Sequence, residues 1–241
     1  MWEPMDFTRY DRVVEHYPAM WPLLVPGYAP ILGAMLDVVL ARSRRPRELL
    51  DLGCGTGAAT LAVAPGCEAS ATVMLVDGSA PMLRAAQAQV QAHVRGAVAG
   101  DFTQPAVAHL VFGPARYDLV ICSFALHHLT DGDKRQVLEQ VAASLVPGGL
   151  LLLADEVAND RPNGWDVVER IRARAIAASL AAGKIDPRFW ELETGLPAER
   201  RLPFLPARVD DLTSWLARAG LAVSCPVSIL GSALLLGVRP E

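Results

Sequence analysis

Residues 48–61 read ELLDLGCGTGAATL. A short apolar run, an aspartate, glycines at 53, 55 and 57 and then small helix formers spell a strand that turns at once into a helix. This stretch restricts the fold more than any other. A strand that leaves through a tight turn into a helix rejoins its sheet by a crossover, so its next neighbour runs parallel and the sheet is covered by helices. The alternation continues downstream. Apolar runs at 48–52, 71–76, 96–99, 117–122 and 150–154 predict strands, and residues 57–64, 81–93 and 133–145 carry helical periodicity. Ser79 is placed to cap the second of these helices, with Pro81 in its first turn, and Thr130 or Asp131 to cap the third. The sequence VPGG at 146–149 predicts a break before the fifth strand.

The flanks read differently. Helical patterns around 6–16 and 28–42 are separated by the proline-rich YPAMWPLLVPGY. Residues 162–183 predict one long helix, 184–207 are irregular and proline-dotted, and a helix at 208–219 ends at Gly220. Apolar runs at 221–225 and 229–238 predict a closing hairpin. We therefore expect one domain over residues 1–241: a helical cap (1–45), an α/β core (46–157), a helical insertion or lid (158–207), and a last helix with the hairpin (208–241).

Bulk properties narrow the function. The formal charge of −4 lacks the basic surplus that drives nucleic-acid binding, so no nucleic-acid partner is expected. Cys54, Cys67, Cys122 and Cys225 form no CxxC pair, which argues against a metal site and for a reducing compartment. The charged start MWEPMDFTRYDRVVEHYP lacks the apolar centre of a secretion signal, and no apolar run is long enough for a bilayer. A cytoplasmic protein with no membrane association is expected. Homodimerisation is left open.

The glycine spacing is G-x-G-x-G, with Asp51 two residues before the first glycine, whereas dinucleotide sites use G-x-G-x-x-G. A carboxylate beside the turn repels a pyrophosphate and suits a ligand with a cationic amine. Asp77, in VDGSAPML, ends the second predicted strand, where a carboxylate takes two ribose hydroxyls. Asp101, in GDF, follows the third, placed to accept from an adenine amino group while Phe102 covers the ring.

In order, DLGCGTG, VDGSAPML, GDF, YDLVICSFALHHL and LVPGGLLLLADE resemble the successive motifs of class I S-adenosylmethionine-dependent methyltransferases, over roughly residues 45–157. The resemblance implies a Rossmann-like fold, a seven-stranded, mostly parallel sheet with helices on both faces and the last strand inserted antiparallel. It implies S-adenosyl-L-methionine as cofactor, S-adenosyl-L-homocysteine as product, and no metal. By position, Gly53, the backbone of Cys54, Gly55 and Gly57 would pack on the methionine part and ribose. Asp77 and Gly78 would hold the ribose and lie under the adenine, Asp101 and Phe102 would hold the adenine, and Ser123 would face the methionine end. A narrower likeness, in YPAMWPLLVPGYAPILGAML, GAATLAV, DGSAPML and the terminal LLLGV, is to carboxy-S-adenosylmethionine synthases, which carboxylate the cofactor with prephenate. It nominates Tyr28 as a cofactor contact and Arg200 or Arg201 for an anionic substrate group. The chain differs from that family at Gly55, normally serine, and at Ser123, normally asparagine.

Methyl transfer from a sulfonium needs alignment, and a base only where the nucleophile carries a proton. His127, His128, Asp155 and Glu156 follow strand ends and are the candidates, the two histidines first. We expect methyl transfer to a small-molecule acceptor lying beneath residues 1–30 and 160–207. A carboxymethyl-forming synthase and a non-catalytic cofactor-binding protein are the alternatives.

Overall fold

The computed structural model describes residues 8–11, 13–25, 27–90, 93–158, 164–185, 187 and 203–241. Helices α1 (Thr8–Asp11), α2 (Tyr17–Leu24) and α3 (Tyr28–Leu40) precede β1 (Glu48–Leu52). Then follow α4 (Ala58–Val63), β2 (Thr72–Asp77), α5 (Ala80–Val90), β3 (Val94–Ala99), α6 (Pro105–Val111) and β4 (Tyr117–Ser123). The chain continues through α7 (Asp131–Ser144), β5 (Leu145–Glu156), α8 (Gly164–Ala181), α9 (Val209–Arg218), β6 (Ala222–Ile229) and β7 (Ser232–Val238).

The strands form one seven-stranded sheet in the order β3-β2-β1-β4-β5-β7-β6. β1 to β5 are parallel, and β7 lies antiparallel between β5 and β6, as expected for the Rossmann-like class I fold. Successive strand residues point to opposite faces, so both faces of these apolar strands are buried. Leu50, Leu52, Val120, Leu151 and Leu153 pack against α6, α7 and α9 on one side. Leu49, Leu75, Leu119, Ile121 and Leu152 pack against α3, α4 and α5 on the other. In α3, Ile31, Met35 and Val39 recur at i, i+4 and i+8 and are fully buried, each contributing about 1.5–3 kcal/mol. The chain winds outward from β1 in both directions, leaving a crevice beyond the carboxyl ends of β1 and β4, the switch point where such sheets hold ligands.

A third, smaller apolar cluster covers that crevice. Val13 and Met20 from the N-terminal segment meet Met82 of α5 and Ile176 and Ile185 of the α8 segment. Both covering segments thus rest on each other over the sheet's carboxyl edge.

Several expectations need correction. The proline-rich stretch read as a separator is largely α2: Pro18 sits in its first turn, where the missing N–H costs nothing, although Pro22 lies inside it. Helix α6 was not expected, because residues 105–111 are too few to show a period. The VPGG segment does not precede β5 but lies within it, Gly148 taking φ +71° where the pairing with β4 shifts register. Thr130, rather than Asp131, caps α7, its Oγ1 accepting from Asp133 N. Ser79 caps α5 as expected, accepting from Met82 N.

Candidate active site

The turn after β1 is bound to the end of β2. Gly53 N and Cys54 N both donate to Val76 O, at 2.8 and 3.0 Å, and Gly55 N donates to Asp77 Oδ2 at 2.7 Å. Gly53 and Gly55 take φ of +67° and +53°, open to glycine at little cost. At Gly53 a Cβ would stand 2.5 Å from Cβ of Ala125, so the β4 loop closes directly on the turn. A Gly53→Ala protein should lose about 2 kcal/mol of stability from the clash and the left-handed backbone, lowering Tm by about 5 °C in calorimetry.

Asp77 Oδ1 accepts from Ser79 N at 2.8 Å, so each carboxylate oxygen already takes one backbone N–H and keeps further lone pairs. Burial pushes its pKa up, and these two hydrogen bonds oppose that. Ser79 Oγ in turn donates to Asp11 Oδ1 of α1 at 2.7 Å. Behind the turn, Asp51 is fully buried. Its Oδ2 accepts from Thr60 Oγ1 at 2.6 Å, while Oδ1 has no hydrogen-bond partner. Burial first, and Asp77 after it, lift the Asp51 pKa to about 7 against the Thr60 hydrogen bond. Asp101 holds Thr103 N and Oγ1 on its Oδ1, and its buried Oδ2 is likewise unpartnered.

An open cleft enclosing about 780 Å³, part of it solvent, lies over these groups. Of the candidates named from sequence, Tyr28, Gly53, Cys54, Gly55, Asp77, Gly78, Phe102, Ser123 and His128 line it together. Asp51 and Asp101 are not among its lining residues: Asp51 is fully buried behind the turn, and the free oxygen of Asp101 is buried next to Phe102, which does line the cleft. Gly57 faces α5, where a Cβ would meet Ala86 and Val90 at 3.1–3.3 Å. Burial, with Asp51 adding to it, pushes the Tyr28 hydroxyl up to about 12, so it remains a neutral donor; its ring packs on Phe124 at 5.3 Å. Burial and the same carboxylates drive the Cys54 thiol well up, which leaves it unreactive. Arg200 and Arg201 lie outside the described residues.

The two histidines part company. His127 is buried, and its Nδ1 lies 2.5 Å from Asp155 Oδ1 and its Nε2 3.9 Å from Glu156 Oε2. Arg172 of α8 reaches Glu156 Oε1 at 2.5 Å, so the cluster pins the covering helix to the end of β5. Burial alone would lower the His127 pKa, but the charge and hydrogen bond of Asp155, joined by Glu156, raise it. Asp155→Asn should therefore shift the His127 titration downward in an NMR pH series. His127, Asp155 and Glu156 are thus engaged with one another inside the fold; His128 is the member of the pair on the cleft.

Tyr10 and Tyr17, which are not among the sequence candidates, join Trp21 on the cleft wall. Tyr17 stacks on Trp21 at 4.9 Å and meets Tyr10 edge-on at 6.1 Å. Their spacing of seven and then four residues was the available signal, one helical stripe interrupted by prolines.

A family model described as "Methyltransferase domain" matches residues 49–149, the span from β1 into β5. A carboxy-S-adenosyl-L-methionine synthase of Vibrio campbellii is 31% identical over 192 residues, covering 70% of this chain and 75% of its own length. The chain belongs to the class I S-adenosylmethionine-dependent methyltransferase family. A second carboxy-S-adenosyl-L-methionine synthase, from Chromohalobacter salexigens, is 34% identical over 173 residues, or 68% of this chain and 61% of its own. Solved structures agree on the fold. The YcgJ protein of Bacillus subtilis gives a TM-score of 0.59 at 18% identity, covering 89% of this chain and all of its own. A putative O-methyltransferase of Nostoc punctiforme gives 0.63 at 18% identity, covering 94% and 59%. In this class I chain the cleft coincides with the carboxyl edge of the family's sheet.

Proposed function

We propose that this protein binds S-adenosylmethionine in the cleft and transfers its methyl group to a small-molecule acceptor. The observation that carries the reading is the arrangement around Asp77: a glycine turn on one oxygen, the Ser79 amide on the other, and unpartnered buried oxygens on Asp51 and Asp101 to either side. A methionine nucleoside has matching donors, an ammonium, two ribose hydroxyls and an adenine amine. Asp51 would neutralise the ammonium from below the turn, Asp77 would accept from the ribose, and Asp101 Oδ2 would accept from the adenine amine beside Phe102. Ser123, Tyr28 and the backbone of Gly53 to Gly55 would enclose the methionine end. When bound, the cofactor supplies an already activated methyl group, so the protein's part is alignment and exclusion of water. The aromatic wall of Tyr10, Tyr17 and Trp21 provides an apolar bed for the acceptor.

Calorimetry with S-adenosylhomocysteine tests the cofactor: micromolar binding is expected, and tight NAD binding in its place would overturn the reading. A second reading, carboxylation of the cofactor, is favoured by the names of the relatives at 31–34% identity. Incubation with S-adenosylmethionine and prephenate, followed by mass spectrometry, separates the two. An unaltered cofactor mass counts against the second reading, and a carboxylated cofactor supports it against the first.

A further inference from the structure

His128 is held on both ring nitrogens by segments outside the sheet. Nδ1 lies 2.8 Å from Pro203 O, on the stretch leading into α9, and Nε2 lies 2.9 Å from the Tyr10 hydroxyl on α1. A carbonyl oxygen only accepts, so Nδ1 carries the proton and donates it. In the neutral imidazole Nε2 is then a bare lone pair, and the Tyr10 hydroxyl must donate to it. Both residues line the cleft that also exposes Gly53, Gly55 and Ser123. Two covering segments thus converge to fix one tautomer, with its basic nitrogen behind a hydroxyl at the wall of the site.

We infer that Tyr10 and His128 form a proton relay for the acceptor, and that the acceptor is a phenol. The inference rests on the methyl-transfer reading above. A base is useful only where the nucleophile starts with a proton, which a hydroxyl does and a thioether or tertiary amine does not. The surrounding rings of Tyr17, Trp21 and Phe124 favour a flat aromatic carrier for that hydroxyl. As the phenol's O–H bond breaks, its proton passes to Tyr10 Oη and the Tyr10 proton passes to His128 Nε2. The electron pair freed on the phenol oxygen forms the O–CH3 bond, while the pair of the breaking S–CH3 bond stays on sulfur. His128 ends as an imidazolium, still donating from Nδ1 to Pro203 O, and returns its proton to water after product leaves. Tyr10 is then a catalytic residue, and Pro203 a positioning residue that acts through its carbonyl.

Two measurements test this. Long-range proton–nitrogen NMR of the histidine side chains, assigned with His128→Gln, should show His128 neutral with its proton on Nδ1. A proton resident on Nε2 would overturn the relay whatever the activity. Methyl transfer from labelled S-adenosylmethionine is then followed with phenol and with pentafluorophenol, which is already ionised at neutral pH. Tyr10→Phe should lower kcat by about 100-fold with phenol and by less than about 10-fold with pentafluorophenol, KM for S-adenosylmethionine staying within about twofold. Equal losses with both would mean that Tyr10 only shapes the site, and would overturn the relay. If neither compound is methylated while S-adenosylhomocysteine still binds, the phenol assignment falls and the methyltransferase reading stands. If S-adenosylhomocysteine does not bind, that reading has failed first.

Discussion

Replacing Asp77 by alanine is expected to weaken S-adenosylhomocysteine binding by about 100-fold, read by isothermal titration calorimetry. The carboxylate is the meeting point of two elements: it fastens Gly55 N of the glycine turn and Ser79 N at the start of α5, at 2.7 and 2.8 Å. Its removal leaves both amides without a partner and takes away the acceptor proposed for the ribose hydroxyls. Hydrogen bonds to a charged group contribute about 1.5–3 kcal/mol each, so a net loss of about 3 kcal/mol, or roughly two powers of ten in affinity, is expected. Asp77→Asn separates the two duties, because the amide oxygen still serves one backbone N–H while the charge is gone. It should fall between wild type and alanine. An alanine variant that melts at a lower temperature yet binds with wild-type affinity would show that Asp77 only braces the turn.

Asp51→Asn should raise stability at pH 8 and leave it unchanged near pH 4. The carboxyl is fully buried, with one oxygen unpartnered, and burial lifts its pKa to about 7 from an ordinary value near 4. A folded-state pKa above the unfolded one means that the folded protein binds the extra proton. The associated stability is complete below about pH 4 and is lost as the pH rises through about 7. Three pKa units correspond to about 4 kcal/mol, so the asparagine variant should gain up to that amount at pH 8, a rise of roughly 10 °C in Tm. The compensation is in binding. An ammonium group placed against Asp51 would offset the buried charge, so saturating S-adenosylhomocysteine should stabilise wild type more than the variant. Equal ligand stabilisation of the two proteins at pH 8 would remove Asp51 from the cofactor site.

The elements of the core were legible because each carries its own periodicity or capping chemistry. The run 48–52 and the glycines at 53, 55 and 57 predicted β1, its turn and the helix after it, and the structure agrees to within a residue or two. α2 and α6 were not legible. Pro18 and Pro22 mask the helical pattern in the first, and the second is only seven residues long. In the site, nine of the candidate positions share one cleft: eight sit at the carboxyl ends of parallel strands or in the turns beyond them, and Tyr28 reaches it from the start of α3. The expectation that residues 1–30 lie over the acceptor did not single out the tyrosines at 10 and 17, since nothing local says which side chains of that segment face the carboxyl edge of the sheet.

The HH pair shows most sharply where reading along the chain stops. Sequence placed both histidines at the end of β4 as equivalents. Adjacent residues in a single turn of 3-10 helix point in different directions, and tertiary packing gives them different neighbours. His127 enters a buried cluster with Asp155, Glu156 and the Arg172 of α8, and His128 faces the cleft between Tyr10 and Pro203. The sequence by itself determined the parallel sheet, the glycine turn and the carboxylates at 51, 77 and 101, because strand ends and turns are written in local residue types. The roles of His128 and Tyr10, and the burial that lifts Asp51, were decided only by the tertiary structure. Tyr10 and His128 meet across 118 residues of chain, and Pro203 reaches His128 from 75 residues away. Asp51 is enclosed between β2 and β4, so all depend on contacts between segments distant in the sequence and on the solvent those contacts exclude.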